Sequence, residues 1–148
     1  MHYLDHDILQ NALKDPTGPA ARRIRSLPFD DIALSTIVVE EKISAQLAEI
    51  KSVRDHRRPR PTLADLGVFL IALINGLAEF QMVPYHDEAE SVWRRFSGRS
   101  KRVGAVDSRL LAHALSDGAV VATGNMQDFA AILSSEDLNQ PAVESWLS

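Results

Sequence analysis

Short apolar segments alternate with longer helical stretches along this chain, and acidic residues follow several of the apolar segments. The pattern predicts strands at about residues 2–4, 32–36, 82–84 and 119–122. Strands that alternate with helices favour an α/β fold, a three-layer α/β/α sandwich with a mainly parallel central sheet. In such a sheet the residues that follow the strands gather at one edge, where these folds place their functional sites.

The helical stretches carry apolar residues at a spacing of three to four and have recognisable ends. They cover about residues 7–14, 18–26, 37–54, 62–80 and 106–116, and a further helix opens at His86-Asp87. Thr62 and Asp65 are close to a capping box, and Gly118 suits the position after a helix. Residues 98–104 are predicted to form a basic loop, and residues 142–143 an edge strand.

Length and composition limit the kind of protein. The 148 residues suit a single domain, residues 1–148, and 45% hydrophobic with 24% charged residues is ordinary for a soluble globular protein. The absence of cysteine excludes disulfides and thiolate metal sites and favours the cytoplasm. The longest apolar run, residues 68–74, is too short to span a bilayer, and no signal peptide is visible.

The distribution of charge leaves room for a nucleic-acid substrate. A net charge of −4 argues against a protein that coats nucleic acid without specificity. Positive charge is concentrated at residues 22–25, 54–60 and 94–102. Such runs are usually solvated ends of helices and loops. Contact of at least one cluster with phosphate is the hypothesis that we retain.

Four acidic residues occupy positions where apolar segments end and helices begin. They are Asp5, Glu41, Asp107 and Asp128. Each has an ordinary explanation, because acids stabilise the start of a helix by capping or through the helix dipole. Together they would repel by about 4 kcal/mol for each pair at about 4 Å in an effective dielectric near 20, so they need protons or a cation. Carboxylate oxygens suit Mg²⁺ or Mn²⁺, and such sites act on phosphate.

Four motifs contain these acids, and their order and spacing carry a family resemblance. They read Leu4-Asp5-His6-Asp7-Ile8, Ile37-Val-Val-Glu-Glu41, Gly104-Ala-Val-Asp107, and Gly118-Ala-Val-Val-Ala-Thr-Gly-Asn125-Met-Gln-Asp128-Phe129. The chain resembles the PIN-domain nucleases, most closely the VapC-type toxins of bacterial type II toxin–antitoxin systems. The resemblance covers nearly the whole chain and implies a PIN-like nuclease domain.

The resemblance also implies a chemistry, its residues and its partners. It predicts an Mg²⁺- or Mn²⁺-dependent ribonuclease in which Asp5 and Asp107 are the principal direct ligands. Glu41 and Asp128 would complete the cluster or act through water. The supporting residues are expected to be Thr123, Asn125 and Asp7. Toxins of this type are usually dimers that are silenced by an antitoxin peptide in a groove, so RNA, an antitoxin and a second copy of the chain are the expected partners.

Several residues depart from the family pattern or have no part in it. His6 replaces a small hydroxyl residue, and Gly124 occupies a slot that is often arginine. Neither change removes an acid. The histidines show no zinc-type spacing, and His113 is expected to pack or to face solvent. Apolar residues around 8–27 and 43–53 are candidates for the groove, although core packing is the commoner fate of such residues.

Three other functions stay open. A phosphatase of the haloacid-dehalogenase type is one, because Asp5-His-Asp7 resembles its Asp-x-Asp signature. That class also requires a lysine at a later strand end and a late pair of acids, neither of which is found. The others are a PIN nuclease of RNA processing outside a toxin system, and a non-catalytic PIN-fold module that binds RNA or protein. Retention of all four acids argues against the last.

Overall fold

The computed structural model describes residues 1–56, 59–138 and 142–147, so Arg57 and Arg58 of the predicted basic segment lie outside the described residues. The strands within these ranges are β1 (His2–Leu4), β2 (Ile32–Ser35), β3 (Gln81–Val83), β4 (Val120–Thr123) and β5 (Val143–Ser145). They form one sheet in the order β3-β2-β1-β4-β5, and each neighbouring pair is parallel. The predicted α/β class with its central parallel sheet is confirmed.

Eight α-helices connect and flank the described strands. They are α1 (His6–Lys14), α2 (Pro19–Arg25), α3 (Thr36–His56), α4 (Leu63–Ala78), α5 (Asp87–Arg95), α6 (Gly98–Val103), α7 (Ala105–Asp117) and α8 (Met126–Ser135). The predicted capping box of α4 is present, with the Thr62 hydroxyl 3.1 Å from the Asp65 amide. Gly118 ends α7 with a φ of 65°, in the left-handed region that glycine adopts without strain. None of the described helices is long and apolar enough to cross a membrane.

One helix replaces a predicted loop. Residues 98–104 were expected to be irregular because glycine stands at each end, but Gly98–Val103 form α6. Ser97 explains the difference, because its hydroxyl accepts a hydrogen bond from the Ser100 amide and caps the helix. The basic residues of this segment therefore lie on a short helix directly before α7.

Both faces of the sheet are covered. Tyr3 and Leu4 are 1% and 0% exposed. Consecutive residues of a strand point to opposite faces, so packing must cover β1 on both sides. His113 of α7 stacks against Tyr3 with ring centroids 4.8 Å apart, which places α7 on the Tyr3 face.

The strand order reverses beside β1. The chain adds β2 and β3 on one side of β1 and then returns to place β4 and β5 on the other. The backbone amide of Asp5 bonds to the carbonyl of Ala122 at 2.9 Å, so the carboxyl ends of β1 and β4 lie side by side. A crevice at such a reversal point is where open α/β sheets bind their ligands.

Candidate functional site

Asp5 lies at this reversal point and is held by hydrogen bonds on both carboxylate oxygens. It follows β1 directly and caps α1, with Oδ1 accepting from the His6 amide at 2.6 Å. Its Oδ2 accepts from the Thr123 hydroxyl at 2.7 Å, and the same hydroxyl oxygen accepts from the Asn125 amide at 2.9 Å. The residue is only 4% exposed. The end of β4 thus fixes the acid that follows β1.

Asp7 and Glu41 each keep one buried carboxylate oxygen without a hydrogen-bond partner. Asp7 accepts from the Gly124 amide through Oδ2 at 2.9 Å, and its Oδ1 has no partner. Glu41 Oε2 is also buried without a hydrogen bond, and lies 3.4 Å from Nδ1 of His6. These two oxygens are available to a ligand.

Asp107 and Asp128 each lie in the first turn of a helix. α7 begins at Ala105 and Gly104 is its cap, so capping does not account for Asp107. Asp128 accepts a hydrogen bond of 2.7 Å from the side-chain amide of Asn125. Asn125 occupies the cap position of α8, but its side chain makes no capping bond. The asparagine therefore orients an acid of the site.

The position of Glu41 within its helix also differs from the expectation. Glu41 was expected where a helix begins, whereas α3 begins at Thr36 directly after β2 and its first turn has no acid. Glu41 consequently reaches the site from the second turn of α3.

The electrostatics show that these acids act on one another. Burial raises the pKa of Asp5 to about 7, and the charges of Asp107 and Asp7 add to the rise. Burial also raises the pKa of Asp107, and the charges of Asp128, Glu41 and Asp7 reinforce it. The acids after β1 and in the N-terminal turns of α3, α7 and α8 thus form one group of interacting charges. Burying several negative charges together costs free energy unless a cation or protons neutralise them.

Comparison with known proteins defines the fold. No family model and no curated protein matches the chain. DNA-bound VapBC from Salmonella typhimurium gives a TM-score of 0.72 at 20% identity, over 98% of this chain and 97% of that chain. VapBC-1 from nontypeable Haemophilus influenzae gives 0.70 at 21% identity, over 100% of both. VapBC2 from Rickettsia felis, bound to a promoter DNA fragment, gives 0.68 at 17% identity, over 99% of both. The chain has a PIN-like fold.

The donor set in this PIN-like fold fits a hard divalent cation. Carboxylates with a neighbouring hydroxyl and amide make an all-oxygen environment, which suits Mg²⁺ or Mn²⁺. The unpartnered oxygens of Asp7 and Glu41 are further donors at the same place. Within the described residues, no three of these acids bring oxygens within 4.8 Å of one another. Their roles as ligands stay predictions.

The PIN-like fold also places beside the acids a lysine that the sequence did not single out. Lys42 follows Glu41 and is buried, and its ammonium donates a hydrogen bond to the side-chain carbonyl of Gln10. Burial lowers its pKa. Lys42 lines a cleft of about 860 Å³ between α1, α3 and α4 that also contains His6 and Phe69. A lysine beside a glutamate in a helix is too common a pattern to reveal this cleft.

The walls of this cleft differ in part from the groove that was expected. Ile8 and Leu9 are 0% exposed and belong to the core, so they offer no groove surface. The apolar face of α4 is instead exposed, and it was not among the candidates. Its exposed large residues are Leu63, Val68, Phe69, Ile71 and Ile74.

Proposed function

We propose that the chain is a metal-dependent endoribonuclease, the toxin of a toxin–antitoxin pair, and that it hydrolyses RNA phosphodiester bonds. The observation that carries the proposal is the mutual electrostatic coupling of acids from four elements at the reversal point of a PIN-like sheet. The catalytic acids are Asp5, Glu41, Asp107 and Asp128. The all-parallel fold and its VapBC neighbours support the same assignment.

A bound Mg²⁺ or Mn²⁺ would supply Lewis-acid stabilisation of charge at the scissile phosphate. In this proposal Asp5 and Asp107 are the direct ligands, and Glu41 and Asp128 complete the site or act through water. Thr123 orients Asp5 and Asn125 orients Asp128, at 2.7 Å in both cases. Both supports are neutral, so they position the acids without cancelling the charge that recruits the cation.

The substrate is proposed to approach over α6. This helix carries Arg99, Lys101 and Arg102 and leads through Gly104 into the turn that contains Asp107. A phosphate backbone that reached the acids from this side would pass a row of cations, which bind it without regard to base sequence. Phosphate contact is therefore proposed first for the cluster at residues 94–102.

An antitoxin and a second copy of the chain are proposed as partners on the α3–α4 side. The exposed apolar face of α4 is the kind of surface that marks an interface. The cleft below it extends to His6, whose Nδ1 lies 3.4 Å from Glu41. A peptide in this cleft would therefore end beside the acids, where a basic side chain could block them. The cytoplasm is the proposed location, consistent with an RNA substrate and a chain without cysteine.

Cleavage of a mixed RNA pool tests the enzymatic proposal. The protein, purified under denaturing conditions and refolded so that no antitoxin remains, is assayed with Mg²⁺, Mn²⁺ or EDTA. Asp5→Asn is compared with Asp30→Asn, which changes an exposed acid before β2. We expect cleavage that needs metal, is lost in Asp5→Asn and is retained in Asp30→Asn.

Other outcomes separate the alternatives. Cleavage that survives Asp5→Asn would refute the acidic site. RNA binding without cleavage in either metal would favour the non-catalytic module. Metal-dependent cleavage by a protein whose expression leaves growth of the host cell unaffected would favour a nuclease of RNA processing over a toxin.

A further inference from the structure

A second cluster of ligand-type side chains lies at the far end of α7. Ligand atoms of His86, His113 and Asp117 all fall within 4.8 Å of one another. Asp117 closes α7 and Asp107 lies in its first turn, so the two clusters are about 15 Å apart along the helix axis. The pattern His113–Asp117 is one helical turn, but His86 is remote in sequence. This explains why no zinc-type spacing was visible.

The two histidines converge on the same carboxylate. Nε2 of His86 lies 2.7 Å from Oδ1 of Asp117, and Nε2 of His113 lies 3.2 Å from Oδ2. The His113 side chain is 0% exposed, yet its Nε2 has no hydrogen-bond partner of acceptable geometry. A fully buried ring nitrogen that faces a carboxylate without a bond is an unusual cost in a folded protein.

The other ring nitrogens have the partners that metal-binding histidines use. Nδ1 of His113 lies 2.9 Å from the Ser35 hydroxyl, and Nδ1 of His86 lies 3.1 Å from Oε2 of Glu88. In metal sites the nitrogen away from the ion donates to such oxygens, which fixes the tautomer. Both Nε2 atoms would then direct lone pairs towards the space beside Asp117.

We propose that His86, His113 and Asp117 form a second divalent-cation site, selective for zinc-class ions. Two imidazole nitrogens and one carboxylate are a zinc-type donor set with a fourth position left open, and they differ from the all-oxygen acidic site. The side chains of His86 and Asp117 are 31% and 26% exposed, which provides a route for the ion. The Tyr3 hydroxyl donates to Asp117 and holds the carboxylate against the sheet.

Ion binding requires one change at His86. Without an ion its Nδ1 accepts the Ala89 amide at 3.2 Å, so Nε2 carries the proton that is donated to Asp117. With the ion on Nε2 the proton moves to Nδ1 and is donated to Glu88, so the Ala89 amide gives up its hydrogen bond to His86. The ion would tie the start of α5 to the end of α7 and so stabilise both. This site is independent of the proposed nuclease activity.

Titration of the metal-free protein with Co²⁺, followed by visible absorption, tests the site. We expect one Co²⁺ per chain with intense ligand-field bands, displaced by Zn²⁺ and unaffected by Mg²⁺. The bands should persist in Asp5→Asn, which alters the acidic site, and in His56→Gln, which alters an exposed histidine. They should be lost in His86→Gln and in Asp117→Asn.

Glu88→Gln gives a test that does not depend on a core change, because the Glu88 side chain is 81% exposed. We expect it to weaken Co²⁺ binding about 10- to 100-fold while leaving the circular dichroism spectrum unchanged. The proposal is overturned if the wild type shows no bands, or if they persist in Asp117→Asn. Loss of the bands in Asp5→Asn would overturn it as well, because the ion would then belong to the acidic site.

Discussion

The Thr123 hydroxyl donates a hydrogen bond of 2.7 Å to Asp5, across 118 residues of sequence. It joins the last residue of β4 to the residue after β1, at the point where the strand order reverses. Because the donor is neutral, this bond adds no positive charge beside the buried carboxylate. The pairing of β4 with β1 therefore determines where the carboxylate of Asp5 lies.

Loss of this hydroxyl should destabilise the protein. Thr123→Val keeps the shape of the side chain but removes the donor to Asp5, and hydrogen bonds to charged groups contribute about 1.5–3 kcal/mol. We expect a loss of that size in the free energy of unfolding at pH 8, measured by urea denaturation in EDTA. Thr123→Ser retains the hydroxyl and should lose less. Equal losses in the two variants would contradict a role for the hydrogen bond.

Asp5 should make metal-free stability depend on pH. Its pKa in the folded protein is raised to about 7, by burial first and then by Asp107 and Asp7, despite the opposing bonds from Thr123 and the His6 amide. A raised acid pKa means that the unfolded chain ionises first, so this contribution is favourable below about pH 4 and is lost as the pH rises to about 7. Above about pH 7 the charged Asp5 therefore lowers the stability of the folded protein. Asp5→Asn removes this cost, which is at most about 4 kcal/mol for the rise in the pKa of Asp5.

Urea denaturation of both proteins in EDTA measures this effect. The stability gained by Asp5→Asn should grow between pH 4 and pH 7 and level off above. Adding Mg²⁺ at pH 7.5 should stabilise the wild type and leave the variant little changed. A gain that is independent of pH would show that Asp5 carries no raised pKa.

Gly124 should be needed for the position of Asp7. A methyl group there would lie 2.5 Å from Cδ1 of Leu147 and 2.7 Å from Oδ2 of Asp7, the atom that accepts the Gly124 amide. Gly124→Ala should cost about 1–3 kcal/mol through overpacking and should reduce RNA cleavage by moving Asp7. Gly67→Ala is the matched control: it has open space and lies inside α4, so it should stabilise by about 0.5–1 kcal/mol. Normal RNA cleavage by Gly124→Ala would show that cleavage does not depend on the position of Asp7.

Association should depend on the face of α4. Phe69 and Phe29 are 54% and 62% exposed, but only Phe69 lies on α4 beside the cleft. Phe69→Ser should shift sedimentation equilibrium towards the monomer, because it removes apolar surface from the proposed interface. Phe29→Ser, on the short turn before β2, should leave the distribution unchanged. The opposite pattern would show that the interface contains Phe29 and not the face of α4.

Local signals in the sequence predicted much of this fold. β1 has the predicted bounds, and Gly118 ends α7 as expected, because strand alternation and a left-handed glycine are properties of neighbouring residues. β3 begins at Gln81 and ends one residue earlier than predicted, since Pro84 has no amide to donate to a ladder. Shifts of one residue in the end of a strand depend on which residues of the neighbouring strand pair with it, and the periodicity of the sequence does not reveal that pairing.

The sequence named the acids and the supporting residues Thr123, Asn125 and Asp7, but it did not predict which atoms each of them contacts. Acids after apolar segments are visible in sequence, whereas some of their partners, such as Thr123 for Asp5, come from distant elements. The bond from the Gly124 amide to Asp7 spans 117 residues, and no local pattern encodes it. The exposure of α4 was not predicted for the same reason. An apolar helix is expected to be buried, and only the tertiary structure shows which of its faces no other element covers.

The place of β1 between β2 and β4 has a consequence for synthesis. The ribosome makes Asp5 long before Thr123, and until β4 emerges one edge of β1 has no partner and Asp5 stays hydrated. Asp107 and Asp128 are likewise absent from early intermediates. The acids can therefore come together only in a nearly complete chain, so a fragment that stops before β4 would lack the assembled acidic site.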